Sequence, residues 1–153
     1  ERLATKMKAL WNAGCNVKII FAMFGNKVLS ILRDPSGRGP VPHRRIAADY
    51  NGDGYYDLYL HNKVMTISGH YGNDRSAEIT WNGSSNFTTT ALLSDDLAMR
   101  ITLPRVRKRY DAWIDRLYAN PPVSKVSYRV VDGRRVRVAP PRVDDPYKYV
   151  EIH

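Results

Sequence analysis

Leu3, Met7, Leu10 and Trp11 recur at helical spacing at the start of the chain, and Gly14 stands where that helix would end. The apolar run VKIIFAM (17–23) predicts a buried strand. NKVLSILRD (26–34) has the pattern of a short helix, and PSGRGPVP (35–42) that of a loop. LYLHNKVMTIS (58–68) and AEITW (77–81) read as neighbouring strands joined by the glycine-rich GHYGNDRS (69–76). FTTTALLS (87–94) is expected as a short helix or turn, and LAMRIT (97–102) as a further strand. Val106, Tyr110, Trp113, Ile114 and Leu117 mark a second amphipathic helix. VSYRVV and RRVRVA flank Asp132-Gly133, a strong hairpin signal. Helices alternating with strands predict an α/β layered fold.

Composition narrows the class without choosing a function. The 153 residues suit one globular domain with a substantial core. No apolar run approaches the ~20 residues that span a bilayer, and no signal peptide is evident. An opening without an initiator Met reads as a processed or truncated piece of something longer. The 24 Lys and Arg against 15 Asp and Glu give a net charge of +9. Such an excess favours anionic partners: nucleic acid, an acidic membrane surface or a phosphorylated substrate. Cys15 is the only cysteine, which excludes an internal disulfide, and is expected as a small buried hydrophobe after the first helix.

Two stretches carry candidate chemistry. On a strand, His61 and Lys63 would project from one face, because side chains alternate. A neutral imidazole there can attack phosphorus while the ammonium steadies the phosphoryl oxygens. About twenty residues on, NGSSNFT follows a strand; Ser84 and Asn86 would add hydrogen-bonding groups, and Gly83 would permit close backbone approach. The second stretch is DYNGDGYYD (49–57), where Asp49, Asn51, Asp53 and Asp57 alternate around Gly54 as oxygen ligands of a hard cation would. An EF-hand also needs a bidentate Glu at the twelfth position, where Leu60 stands. The choice lies between a shorter calcium loop and a polar β-turn.

His-x-Lys followed by Gly-Ser-x-Asn in this order resembles the phospholipase D superfamily over roughly residues 1–103. The resemblance implies a mixed β-sheet flanked by helices, forming a catalytic lobe over residues 1–120. A β-hairpin extension over 121–153 would pack on the same domain. It implies His61 as a catalytic His, Lys63 as phosphate ligand, Ser84 and Asn86 around the phosphate, and Asp96, with Asp95 competing, as the carboxylate orienting the His. The implied reaction is phosphodiester hydrolysis or transfer through a phosphohistidine, with no cofactor and any calcium purely structural. The family's Asp five residues after the Lys is Ser68 here, with Asp74 as a candidate substitute.

His43, His70 and His153 lack a Lys two residues on, so the chain holds one His-x-Lys where the family uses two. A second lobe is therefore expected, as the N-terminal half of the same enzyme or as a homodimer partner. A secreted bacterial protein acting on phospholipid fits the resemblance best. A nuclease of the same superfamily and a non-catalytic calcium-stabilised binding module are the alternatives. RVRKRY (105–110) and RRVR (134–137) read as solvated faces, and Trp81 as core.

Overall fold

The computed structural model describes residues 1–52, 55–87, 95–125 and 128–137. The chain divides into two compact units, residues 1–60 with 120–153, and residues 61–119. The division thus falls inside the expected 1–120 lobe, between Leu60 and His61, and assigns the C-terminal stretch to the first unit. Helices and strands alternate around small open sheets, a mixed α/β arrangement.

The first unit begins with α1 (Arg2–Asn12). Gly14, at φ 95°, ends it as predicted: its N–H bonds the Trp11 carbonyl and the Cys15 N–H bonds the Leu10 carbonyl, a Schellman closure. Cys15 is exposed, contrary to expectation, because this closure carries the chain away from the helix at that point. The buried face of α1 also differs from the predicted stripe. Ala4, Met7, Lys8 and Trp11 face the core, while Leu3 and Leu10 lie at its exposed margin.

Lys8 explains the rotation. It is 7% exposed, and its ammonium donates to the carbonyls of Asp34 (2.7 Å), Ser36 (2.9 Å) and Gly39 (2.8 Å). Trp11 Nε1 adds a bond to the same Gly39 carbonyl, and the Arg38 guanidinium lies 3.8 Å from the Trp11 ring centroid. The 34–40 loop is thereby wrapped onto α1 by charge-assisted hydrogen bonds.

β1 (Ile19–Phe21) pairs in parallel with β2 (His43–Arg45), and α2 (Asn26–Arg33) lies between them in sequence. Ala4, Ile19, Leu32 and Val41 form the core, with Met7, Trp11, Val17, Phe24, Val28 and Ile31 packed around it. β3 (Ala47–Ala48) pairs antiparallel with β4 (Leu58–Tyr59), so the 49–57 stretch is the connection of a short hairpin. The unit also contains β8 (Tyr128–Val131) and β9 (Arg134–Arg137), the predicted hairpin.

The second unit is an antiparallel meander of β5 (Lys63–Tyr71), β6 (Asp74–Gly83) and β7 (Ala98–Ile101), followed by α3 (Pro104–Ala119). GHYGNDRS is mostly strand rather than connection: Tyr71 pairs with Asp74 across a two-residue turn, with Gly72 at φ 61°. The predicted 58–68 strand is instead broken. Leu58–Tyr59 pairs with β3, and β5 starts only at Lys63, leaving His61 and Asn62 outside any strand. FTTTALLS from Thr88 onward lies outside the described residues.

Strand alternation puts Glu78 and Asn82 on the α3 side of β6, where Asn82 Nδ2 donates to the Tyr110 hydroxyl. Arg107 donates to both Glu78 and Asp111, and Ser68 Oγ donates to Glu78 Oε1 at 2.9 Å. Arg107, expected on a solvated face, is therefore turned inward onto the sheet, whereas Arg105, Lys108 and Arg109 are exposed.

The Arg107 and Ser68 hydrogen bonds hold the Glu78 carboxyl below the usual glutamate range. A depressed folded-state pKa gives stability that is full above the unfolded value and lost as pH falls through the folded one. Wild type is thus expected to melt above Glu78→Gln near neutrality, and the gap should narrow on acidification below about pH 4.3. Melting curves of the two proteins at graded pH check this; a gap that stays constant to pH 3 would contradict it.

Candidate functional site

Two segments separated by about twenty residues meet because β5 and β6 are antiparallel. Lys63, the first residue of β5, pairs with Gly83, the last of β6, and Gly83 pairs with Ala98, the first of β7. One end of the sheet therefore gathers Lys63, Ser84 and the Asp96–Leu97 approach to β7. Ser84 Oγ donates to Asp96 Oδ1 at 2.8 Å and accepts the Leu97 N–H at 3.0 Å, while the Ser84 N–H donates to the Leu97 carbonyl at 2.9 Å. Of the two candidate carboxylates, Asp96 is the one that Ser84 binds; Asp95 is exposed beside it.

Lys63 Nζ donates to the backbone carbonyl of His61 at 2.6 Å. Partial burial pushes the Lys63 pKa below the ordinary lysine value, and the Asp96 carboxylate acts in the opposite direction. His61 is exposed, in the connection preceding β5. The expected i, i+2 geometry on a strand is therefore replaced by a curl in which the ammonium reaches back over the His61 peptide. Asn86 is exposed three residues beyond Gly83, on the segment leaving the sheet.

Gly83 is needed for a different approach from the one expected. A Cβ there would lie 1.9 Å from the Leu97 carbonyl oxygen, so the close neighbour is the backbone entering β7. Asp74 does not stand in for the family aspartate at this site. It sits at the turn end of the β5–β6 hairpin, about 25 Å along the strand from Lys63, and its carboxylate caps the Ser76 N–H at 2.9 Å. Ser68 belongs to the Glu78–Arg107 network.

A cleft of about 430 Å³ on the second unit is lined by Asn62, Val106, Arg109, Tyr110 and Trp113. Tyr110 and Trp113 meet edge to face, with centroids 6.4 Å apart. Asn62, between the two candidate catalytic residues, had no assigned part in the sequence pattern. Trp81, expected in the core, is half-buried, with the Arg100 guanidinium 5.9 Å from its ring.

In the first unit, the candidate cation loop makes turn-type hydrogen bonds. Asp49, 7% exposed, accepts the Gly52 N–H through Oδ1, and Asp57 Oδ2 accepts the Tyr50 N–H. The Asp49 N–H also donates to Ser124 Oγ at 3.0 Å, and its carbonyl accepts the Lys125 N–H at 2.7 Å. Asn51 is exposed, and Asp53 and Gly54 lie outside the described residues. Among the described residues, no three His, Cys, Asp or Glu side chains group as metal ligands, and no helix is long and apolar enough to cross a membrane.

Comparison with family models, curated proteins and solved structures returns no match for this chain.

Proposed function

We propose that the Lys63 end of the β5–β6–β7 sheet is half of a phospholipase D-type phosphodiesterase site. The observation that carries this reading is the convergence of Lys63, Ser84 and Asp96 at one sheet end, with His61 two residues before Lys63. The His61 imidazole attacks phosphorus; a P–N bond forms and the bond to the leaving oxygen breaks. Lys63 and Asn86 steady the phosphoryl oxygens, while Ser84, its hydroxyl given to Asp96, holds that carboxylate at the site, where it balances the charge of Lys63 and of the imidazolium. A second His, from another lobe of the same enzyme or a homodimer partner, protonates the leaving oxygen. Water, or an alcohol, then takes the phosphoryl group from His61. Phospholipid is the favoured diester from the sequence resemblance, with nucleic acid as the alternative.

A p-nitrophenyl phosphodiester tests this reading, because its leaving group departs without a proton and so does not need the second lobe. Quenching in base is expected to trap a phosphoryl group on His61 that acid releases. Turnover without any such adduct would overturn the assignment. With an alkyl diester, activity should appear only on adding a second His-x-Lys lobe or should track a dimer in sedimentation. Full activity from a monomer at every concentration would defeat the half-site reading.

A further inference from the structure

We propose that the cleft on α3 takes an unstacked base of single-stranded nucleic acid, with the neighbouring phosphates on Arg105 and Arg109. Its volume of about 430 Å³ is that of a small-molecule site. Val106, Tyr110 and Trp113 recur at i, i+4 and i+7 along α3 and so share one face of it. Tyr110 is held as a platform from two sides: its hydroxyl accepts the Asn82 amide N–H, and Trp113 meets its ring edge to face. Among the described residues, the Asn62 amide, the Arg109 guanidinium and the Trp113 indole N–H make no hydrogen bond, although all three residues line the cleft.

The charges beside the cleft call for an anion. Arg105 and Arg109 are exposed, stand one helical turn apart next to the aromatic row, and have no ion pair among the described residues. Arg107, by contrast, is committed to Glu78 and Asp111. Like charges at i, i+4 repel, and Arg105 stands in a first turn without an acidic residue, at the positive end of the helix dipole. Both arginines therefore work against the helix, and a phosphate chain would draw on both. The lining decides what accompanies the phosphate. A phospholipid acyl chain would bury the Asn62 amide and the Trp113 N–H without partners. A base brings a π-face to the aromatic rings and an edge of donors and acceptors to the amide. A duplex hides its base faces in its own stack, so the strand is single. Binding of this kind is independent of the diester chemistry at His61 and is read whether or not the chain turns over a diester.

The test measures binding of the whole chain to a labelled mixed-sequence DNA single strand and to the same strand built from abasic sugars. Wild type should prefer the base-bearing strand by about 5- to 150-fold, the scale of one base stacked on an aromatic side chain. That comparison needs no variant, so it stands even where Trp113→Ala, which should lose the preference, does not fold. Log affinity should fall linearly with log salt, and Arg105→Gln, Arg109→Gln should reduce the slope by about 1.4 with an unchanged melting curve. A control of equal charge change on α1, Arg2→Gln, Lys6→Gln, should keep the slope. Equal affinity of wild type for the two strands would overturn the proposal, as would equal losses of slope in the two double variants. So would tighter binding to the matching duplex, or binding to phosphatidylserine vesicles with none to the single strand.

Discussion

His61→Ala is expected to lower turnover of a p-nitrophenyl phosphodiester by about 10⁴-fold or more, the scale on which removing a nucleophile acts. The fold should be untouched. His61 is exposed and outside the strands, and the Lys63 ammonium bonds its backbone carbonyl, which alanine keeps. Loss of activity with an unchanged melting curve therefore isolates the imidazole. Ser84→Ala, by contrast, removes the hydroxyl that bonds both Asp96 Oδ1 and the Leu97 N–H and should disturb stability as well as rate. Substantial residual turnover by well-folded His61→Ala would sink the nucleophile assignment, whatever the source of the activity.

Gly83→Ala should produce the largest stability loss from a single added methyl group. The new Cβ would stand 1.9 Å from the Leu97 carbonyl oxygen and 2.9 Å from the Ala98 Cα, both backbone atoms that no rotamer change can move. β7 must shift, and with it go the Ser84–Leu97 bonds and the hold of Ser84 on Asp96. Overpacking of this kind costs about 3 kcal/mol. Denaturant melts read the loss directly, and amide exchange should rise first in β7 rather than along the β5–β6 hairpin. A Gly83→Ala protein as stable as wild type would show that the sheet end accommodates a side chain and that the β7 approach is looser than described.

The sequence made the second unit's outline readable because its elements obey simple periods. Alternation marked β6, and the 3.6-residue stripe of Val106, Tyr110 and Trp113 marked α3. Gly14 and Asp132-Gly133 announced their turns through the left-handed backbone they adopt. Pattern reading went astray where a polar residue lies inward. Lys8 is buried because three loop carbonyls, some thirty residues away in sequence, surround its ammonium. Arg107 turns inward because Glu78, on a strand far from it in sequence, faces it. Neither partner lies within the local window that a periodicity argument uses.

The same division holds at the candidate site. His-x-Lys and Gly-Ser-x-Asn, as residue types in order, are properties of the sequence, and the chemistry they suggest is legible there. That Lys63 stands beside Gly83, and that Ser84 selects Asp96 over Asp95, follows from strand register, which depends on which antiparallel partners the chain finds. The strand break at His61 also belongs to tertiary structure. Backbone pairing with β3 ends at Tyr59, the Leu60 N–H bonds the carbonyl of Ile46 just before β3, and pairing with β6 begins at Lys63. Two separate sets of hydrogen bonds, each drawing on residues remote in sequence, leave His61 between them, where alternation alone would have kept one continuous strand.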